Sequence, residues 1–283
     1  MAEIVYLNGK LIPRRQAAIS ITDYGFLYGY GLFETMRAYN GEVFRLEDHL
    51  KRLSASAKIL GLPVKTGELK SAVTRTIRAN RLASARVRLA ISAGEGEMNA
   101  DPATCQSPTV LIIAQKYTPY PQSVYERGLR AVVSSIRRNT GSTLARLKSA
   151  SYLESMLARQ EARKAGVEEA ICLNDKGFLA EASMSNIFIV SKGLLRTPGQ
   201  DSGILAGITR KIVLELASQL GIPSREEDIR PDELSEAEEA FLTNSLIEVM
   251  PLTEVEGRKI GSGKRGAVTG AILKAYRKLL PAG

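Results

Sequence analysis

The chain has 283 residues, 44 % of them hydrophobic and 24 % charged, a globular composition with core enough for one large domain or two modest ones. No apolar run reaches the roughly 20 residues of a membrane span, and the opening "MAEIVYLNGK" lacks the basic-then-apolar order of a secretory signal, so a cytoplasmic location is expected. The net charge of +9 comes from basic residues scattered among acids, as in "RLEDHLKRL", which argues for a solvated basic surface and against nucleic-acid binding.

In chain order, "IVYLNGKLIP" and "ETMRAYNGEVFRL" each place Asn-Gly between two strand-like runs, the strongest short signal for a hairpin. Helices are expected over 46–60, with Leu46, Leu50, Leu53 and Ala57 on one face, and over 67–80. "RVRLAISA" alternates like a half-buried strand, and "TVLIIAQ" reads as a buried one. "KYTPYPQ", with two prolines and no periodicity, is the expected linker. The stretch spans 116–122, and the linker is set at 118–124, between a domain over 1–117 and another over 125–283.

The second half opens with the strand "LRAVVSSI", followed by "RLKSASYLES" leading into a helix that runs to about Lys164. Then come a hairpin in "AICLNDKGFLAEA", the strand "NIFIV", a helix over 207–220, two strands in "EEAFLTNSLIEVMPL" around Asn244-Ser245, and a C-terminal helix. Strands and helices are mixed throughout, which gives a mixed α/β fold class.

Several stretches carry possible chemistry. "GSGKRG" at 261–266 imitates a P-loop, but Arg258 stands at the first glycine position and Arg265 replaces the Ser/Thr, so a surface turn is expected. Cys105, Cys172 and the single histidine, His49, offer no metal spacing, no disulfide framework and no Ser-His-Asp triad; no metal is expected.

Lys148 stands at the expected helix start, where the backbone dipole disfavours a cation. It reads either as an ordinary solvated lysine or as an amine kept neutral enough to attack a carbonyl. In "AGITRKIVLEL", Gly207 and Thr209 open a helix, which reads as plain capping or as a phosphate site. In "EASMSNIFIV", Glu181 precedes a strand with Ser185 and Asn186 beside it, and reads as a solvated loop acid, as an ion-pair partner or as the counter-charge to a cationic heterocycle. An amine nucleophile, a phosphate-binding helix start and an acid for a ring nitrogen together match the needs of pyridoxal 5'-phosphate.

The motifs "YGYGLFETMRAYNG", "HLKRL", "LKSASY", "EASMSNIF", "LAGITR" and "FLTNSLIEV" follow one another in the order found in the class IV, or fold-type IV, pyridoxal-phosphate enzymes. The chain resembles that family over nearly its whole length, and most resembles its branched-chain amino acid aminotransferases. The resemblance implies a small N-terminal α/β domain and a larger C-terminal cofactor-binding domain with a β-barrel-like core. It also implies a homodimer acting on amino acids and keto acids.

It further implies that Lys148 is the Schiff-base lysine and proton shuttle, that Glu181 pairs with the pyridinium nitrogen, and that Tyr152 bonds the ring hydroxyl. Arg52, Gly207, Ile208, Thr209 and Ser245 would hold the phosphate, Leu205 would pack on the ring, and Ser185, Asn186 and Asn244 would complete the cofactor site. Tyr28, Phe33, Thr35, Arg37 and Arg88 would line the substrate side, with the Ser245–Leu246 backbone near the substrate carboxylate. Thr35 stands where branched-chain enzymes usually have glycine, and Arg86 where they often have tyrosine. The expected reaction is transfer of an amino group from a branched-chain L-amino acid to 2-oxoglutarate. The alternatives are an aminodeoxychorismate lyase and a D-amino-acid or (R)-amine transaminase of the same family.

Overall fold

A computed structural model describes residues 3–281. Strands and helices are mixed through the chain, which divides into two compact units. Among the described residues, one contains 3–118, Leu147–Ser151 and 280–281; the other contains Pro119–Arg146 and Tyr152–Leu279.

The first unit comprises β1 (Ile4–Leu7), β2 (Lys10–Pro13), α1 (Tyr24–Leu27), β3 (Gly31–Tyr39), β4 (Glu42–Val43), α2 (Leu46–Ile59), α3 (Thr66–Ala79), β5 (Ala85–Ser92) and β6 (Thr109–Lys116). Its six strands form an antiparallel sheet in the order β2-β1-β6-β5-β3-β4. Both Asn-Gly hairpins form: Leu7 faces Lys10 and Tyr39 faces Glu42, with Asn8, Gly9, Asn40 and Gly41 all at positive φ.

Alternation along β3 and β5 sorts the two faces of this sheet. Leu32, Met36, Val87, Leu89 and Ile91 join the core with Leu50 and Leu53 of α2 and Leu69, Val73 and Ile77 of α3. Phe33, Thr35 and Arg37 pair with Ala90, Arg88 and Arg86 on the opposite face.

The structure corrects the expected place of Lys148. The helix begins at Leu153, five positions further on, so the helix dipole does not act on this lysine. Leu147–Ser151 instead lies along the part of β3 that the short β4 leaves open, bending at Leu147 and Ala150. The Phe33 amide donates to the Lys148 carbonyl at 2.8 Å, the Ala150 amide donates to the Gly31 carbonyl at 2.8 Å, and Leu32 faces Ser149. Leu147 turns into the core, and the next residue, Lys148, therefore belongs to the Phe33 face.

The second unit comprises α4 (Gln122–Arg127), β7 (Leu129–Arg138), α5 (Leu153–Lys164), β8 (Glu169–Asn174), β9 (Leu179–Ala182), β10 (Asn186–Ser191), β11 (Leu194–Thr197), α6 (Ile208–Gln219), β12 (Ser224–Glu226), α7 (Pro231–Ser235), β13 (Glu239–Asn244), β14 (Glu248–Val255), β15 (Arg258–Lys259) and α8 (Ala267–Lys278). Helix α4 thus starts inside the stretch expected as a linker.

Eight of its nine strands run in the order β12-β11-β10-β13-β14-β7-β8-β9, with β15 added on β14. β9 ends that path, yet only residues 183–185 separate it from β10, which lies near the other end. So short a connection requires the sheet to curl back on itself. β8 and β9 are buried at every position and β10 at all but its last, as strands covered on both faces must be. Ala158 and Ala162 of α5 pack on Ala170 and Cys172 of β8, small residues that let helix and sheet approach closely.

Candidate active site

The first unit gathers Lys148, Phe33, Thr35 and Arg88 on one sheet face. The Lys148 ammonium nitrogen lies 4.7 Å from the centre of the Phe33 ring, and the Arg88 guanidinium carbon lies 3.3 Å from the same centre. Thr35, directly across the β3–β5 ladder from Arg88, accepts a hydrogen bond from its Nη1 at 3.4 Å. Arg37, next along that face, is buried with its guanidinium 4.3 Å from the Tyr39 ring and 4.8 Å from the Tyr117 ring. Tyr28 follows α1, half exposed, with its ring edge-on to Tyr24 at 4.8 Å.

Arg52 is held on the helix side of the sheet. Glu34 interrupts the apolar alternation of β3 and lies fully buried beneath α2. Its carboxylate accepts from Arg52 Nε at 2.8 Å and Nη2 at 2.6 Å, and His49 Nδ1 lies 2.7 Å from its second oxygen. Burial alone would raise the Glu34 pKa, but Arg52 and His49 outweigh it and hold the carboxyl at about 2. Glu34 was not among the expected site residues. Its signal in the sequence is a lone acid on the core-facing side of a strand, answered by His49 and Arg52 three residues apart on one helix face.

In the second unit Glu181 lies within β9, buried, rather than in a solvated loop. Oε1 pairs with Arg138 Nη2 at 2.9 Å, and Oε2 accepts from the Leu205 amide at 3.1 Å and from Asn186 Nδ2 at 3.3 Å. Asn186 Nδ2 also donates to the Leu205 carbonyl at 2.9 Å. Arg138, at the end of β7, carried no signal in the sequence, because it meets Glu181 only through the lateral order β7-β8-β9.

Next to this cluster, α6 starts with Gly207 as N-cap and no side chain closing the end. Its first-turn N–H groups, at Ile208 and the buried Thr209, are therefore without a capping side chain and suit an anion. Packing favours glycine there: a Cβ at position 207 would lie 2.0 Å from Asn186 Oδ1, so Asn186 would have to shift. Leu205 is half-buried.

The turn after β13 is organised by Asn244. Its Oδ1 accepts from the amides of Leu246 and Ile247 at 2.9 and 3.0 Å, and its Nδ2 donates to Ser185 Oγ at 2.9 Å. Ser245 and Leu246 are the half-buried residues at its tip. Tyr152, just ahead of α5, donates to the Ser183 carbonyl at 3.4 Å, and burial pushes its phenol pKa up. Among the described residues, no group of three or more His, Cys, Asp or Glu could hold a metal ion, and no helix is long and apolar enough to cross a membrane.

The family model for class IV aminotransferases matches residues 31–255, a span that includes Lys148, Glu181, Thr209 and Ser245. The chain belongs to the class IV aminotransferases.

A putative branched-chain-amino-acid aminotransferase of Methanocaldococcus jannaschii is 40 % identical over 278 residues, covering 97 % of this chain and 96 % of the relative. An aminodeoxychorismate lyase of Bacillus subtilis is 36 % identical over 279 residues, covering 97 % and 94 %. Among solved structures, the Escherichia coli branched-chain amino acid aminotransferase superposes with a TM-score of 0.94 at 34 % identity, covering 99 % of this chain and 95 % of that one. The T.th. branched-chain amino acid aminotransferase, solved with pyridoxamine 5'-phosphate, has a TM-score of 0.93 at 30 % identity, covering 98 % and 94 %. The mixed α/β, fold-type IV architecture expected from the sequence is the one found.

Proposed function

We propose that this chain is a pyridoxal-phosphate-dependent aminotransferase moving an amino group between a branched-chain L-amino acid and 2-oxoglutarate. The observation that carries the reading is the cluster around Glu181. A buried carboxylate sits on Arg138 and on the Leu205 amide, beside a helix start whose N-cap is glycine. That pairing suits a ligand with a cationic ring nitrogen and a phosphate. Branched-chain substrates are supported by the Methanocaldococcus jannaschii and Escherichia coli relatives, and glutamate by the T.th. enzyme complexed with N-(5'-phosphopyridoxyl)-L-glutamate.

When bound, pyridoxal phosphate supplies a ring that disperses the negative charge left by removal of an α-proton. The Lys148 amine would hold the cofactor covalently and would take up and return the substrate's α-proton. Glu181 keeps the proton on the ring nitrogen, and Tyr152 orients the ring hydroxyl. Leu205 packs against the ring, and Ser185, Asn186 and Asn244 brace the segments around it. Arg52, the first turn of α6 after Gly207 (Ile208 and Thr209) and Ser245 bind the phosphate. Tyr28, Phe33, Thr35, Arg37 and Arg88 shape the substrate side, with the Ser245–Leu246 backbone at the carboxylate.

We further propose the division into a small domain over 1–117, a linker over 118–124 and a cofactor-binding domain over 125–283, in a cytoplasmic homodimer.

The test is the visible spectrum of the purified protein incubated with pyridoxal phosphate, before and after L-leucine without any keto acid. The expected result is a visible band that L-leucine bleaches, that D-leucine leaves alone, and that Lys148→Ala never develops. A band that ignores L-leucine while aminodeoxychorismate yields pyruvate without a keto acid moves the assignment to the lyase, the second reading, which the Bacillus subtilis relative supports. A wild-type protein that binds no cofactor overturns the proposal.

A further inference from the structure

Glu248 is the first residue of β14, directly after the turn 245–247, and its backbone lies in the left-handed region at φ 59°. A residue with a Cβ is disfavoured there, and only glycine, asparagine or aspartate visits that region readily. Glu248 is also buried, with 3 % of its surface exposed, and a buried carboxylate needs partners. Both features are costly, so something must hold the residue in place.

The C-terminal helix does this. Arg277 of α8 donates from Nε to Glu248 Oε2 at 2.8 Å, and its guanidinium lies 4.6 Å from the centre of the Tyr125 ring. The Tyr125 hydroxyl in turn donates to the Ile247 carbonyl at 3.2 Å. The turn is thus fixed at its start by Asn244, which accepts from the Leu246 and Ile247 amides, and at its end by α4 and α8 through Tyr125, Glu248 and Arg277.

We propose that Arg277 and Glu248 are positioning residues for the anion-binding turn at Ser245: the docked C-terminal helix clamps Glu248 in its left-handed backbone and thereby sets the turn that grips the cofactor phosphate. The inference rests on the reading of Ser245 as a phosphate ligand proposed above. It makes cofactor retention depend on a helix that carries no cofactor ligand of its own.

The experiment compares wild type, Arg277→Ala, Glu248→Ala and Glu248→Gly for retention of pyridoxal phosphate by the holoenzyme on dilution. Binding of pyridoxal, which lacks the phosphate, is measured alongside, with thermal unfolding as a control. Arg277→Ala and Glu248→Ala are expected to lose pyridoxal phosphate affinity by about tenfold or more, with pyridoxal affinity unchanged. Glu248→Gly is expected to hold pyridoxal phosphate better than Glu248→Ala, because glycine adopts the left-handed backbone unaided. Wild-type retention by Arg277→Ala overturns the inference. Equal losses of the two ligands, or a glycine variant no better than the alanine one, also overturn it. A wild-type protein that binds neither ligand overturns the functional reading itself and this inference with it.

Discussion

Glu34 takes both arms of Arg52, Nε at 2.8 Å and Nη2 at 2.6 Å, from a position buried beneath α2. The pair makes the Glu34 carboxyl one contributor to stability against acid. Its pKa falls from an ordinary 4.5 to about 2 on folding, because Arg52 and His49 outweigh the burial. A carboxyl depressed by folding contributes stability that is fully present above its unfolded pKa and lost as pH falls through the folded one. That contribution is about 3 kcal/mol at neutral pH. Denaturant unfolding of wild type and Glu34→Gln between pH 7 and pH 2 is the check. The gap between them should be widest at neutral pH and close between about pH 4.5 and pH 2. A gap that does not change with pH would mean that Glu34 is not ionised when buried.

Gly207→Ala tests the seam between α6 and the Glu181 cluster. Backbone strain is not at issue, since φ at Gly207 is −71°; the added methyl simply meets Asn186 Oδ1 at 2.0 Å. Asn186 must move, and its Nδ2 contacts with Glu181 and the Leu205 carbonyl go with it. The expected cost is roughly 1–3 kcal/mol of stability together with weaker pyridoxal phosphate binding. Adding Asn186→Ser, which shortens the side chain in the way, should recover part of the stability in a thermal melt. No recovery would place the clash elsewhere.

The hairpins at Asn8-Gly9 and Asn40-Gly41 are legible in the sequence because each turn needs two residues at positive φ, and Asn-Gly supplies both locally. The α2 face of Leu50, Leu53 and Ala57 is legible for the same reason: its period is written within one helix. Lys148 is different. Its place is set by backbone bonds to Gly31 and Phe33, more than a hundred residues earlier, so no local signal separates it from the start of the following helix at Leu153. Arg138 and Glu181 meet only because β7, β8 and β9 lie side by side, a lateral order that no short stretch encodes. Glu34 lies between these cases, since its misplaced charge is visible in β3 but its partners are found only once α2 covers it.

Thr35 stands where the resemblance leads one to expect glycine, and its hydroxyl accepts from Arg88 across the ladder. Thr35→Gly removes both that contact and the side-chain volume on the Phe33 face. If this face lines the substrate pocket, the ratio of kcat/KM for a bulky over a small branched-chain amino acid should rise about tenfold. Steady-state rates with leucine and valine read this directly. An unchanged ratio would remove Thr35 from the substrate side.

Cys172 gives a probe of the second unit from inside. It lies on β8 directly opposite Glu181, buried, and burial with the neighbouring Glu181 charge pushes its thiol up to about 12. Cys105 is half-buried, and burial with the charges of Asp23 and Asp101 raises its thiol as well. The thiolate is the reactive form, so at pH 8 an aromatic disulfide reagent should modify neither quickly, and Cys172 only when the sheet around it opens. A ligand that binds only the closed protein shifts that opening by RT ln(1 + [L]/Kd). Pyridoxal phosphate at about 100 times its Kd should therefore slow Cys172 labelling about a hundredfold. Free pyridoxal at the same concentration should slow it less, since it cannot use the α6 helix start. Rapid Cys172 labelling that ignores the cofactor would mean that β8 and β9 open independently of the site proposed at Glu181.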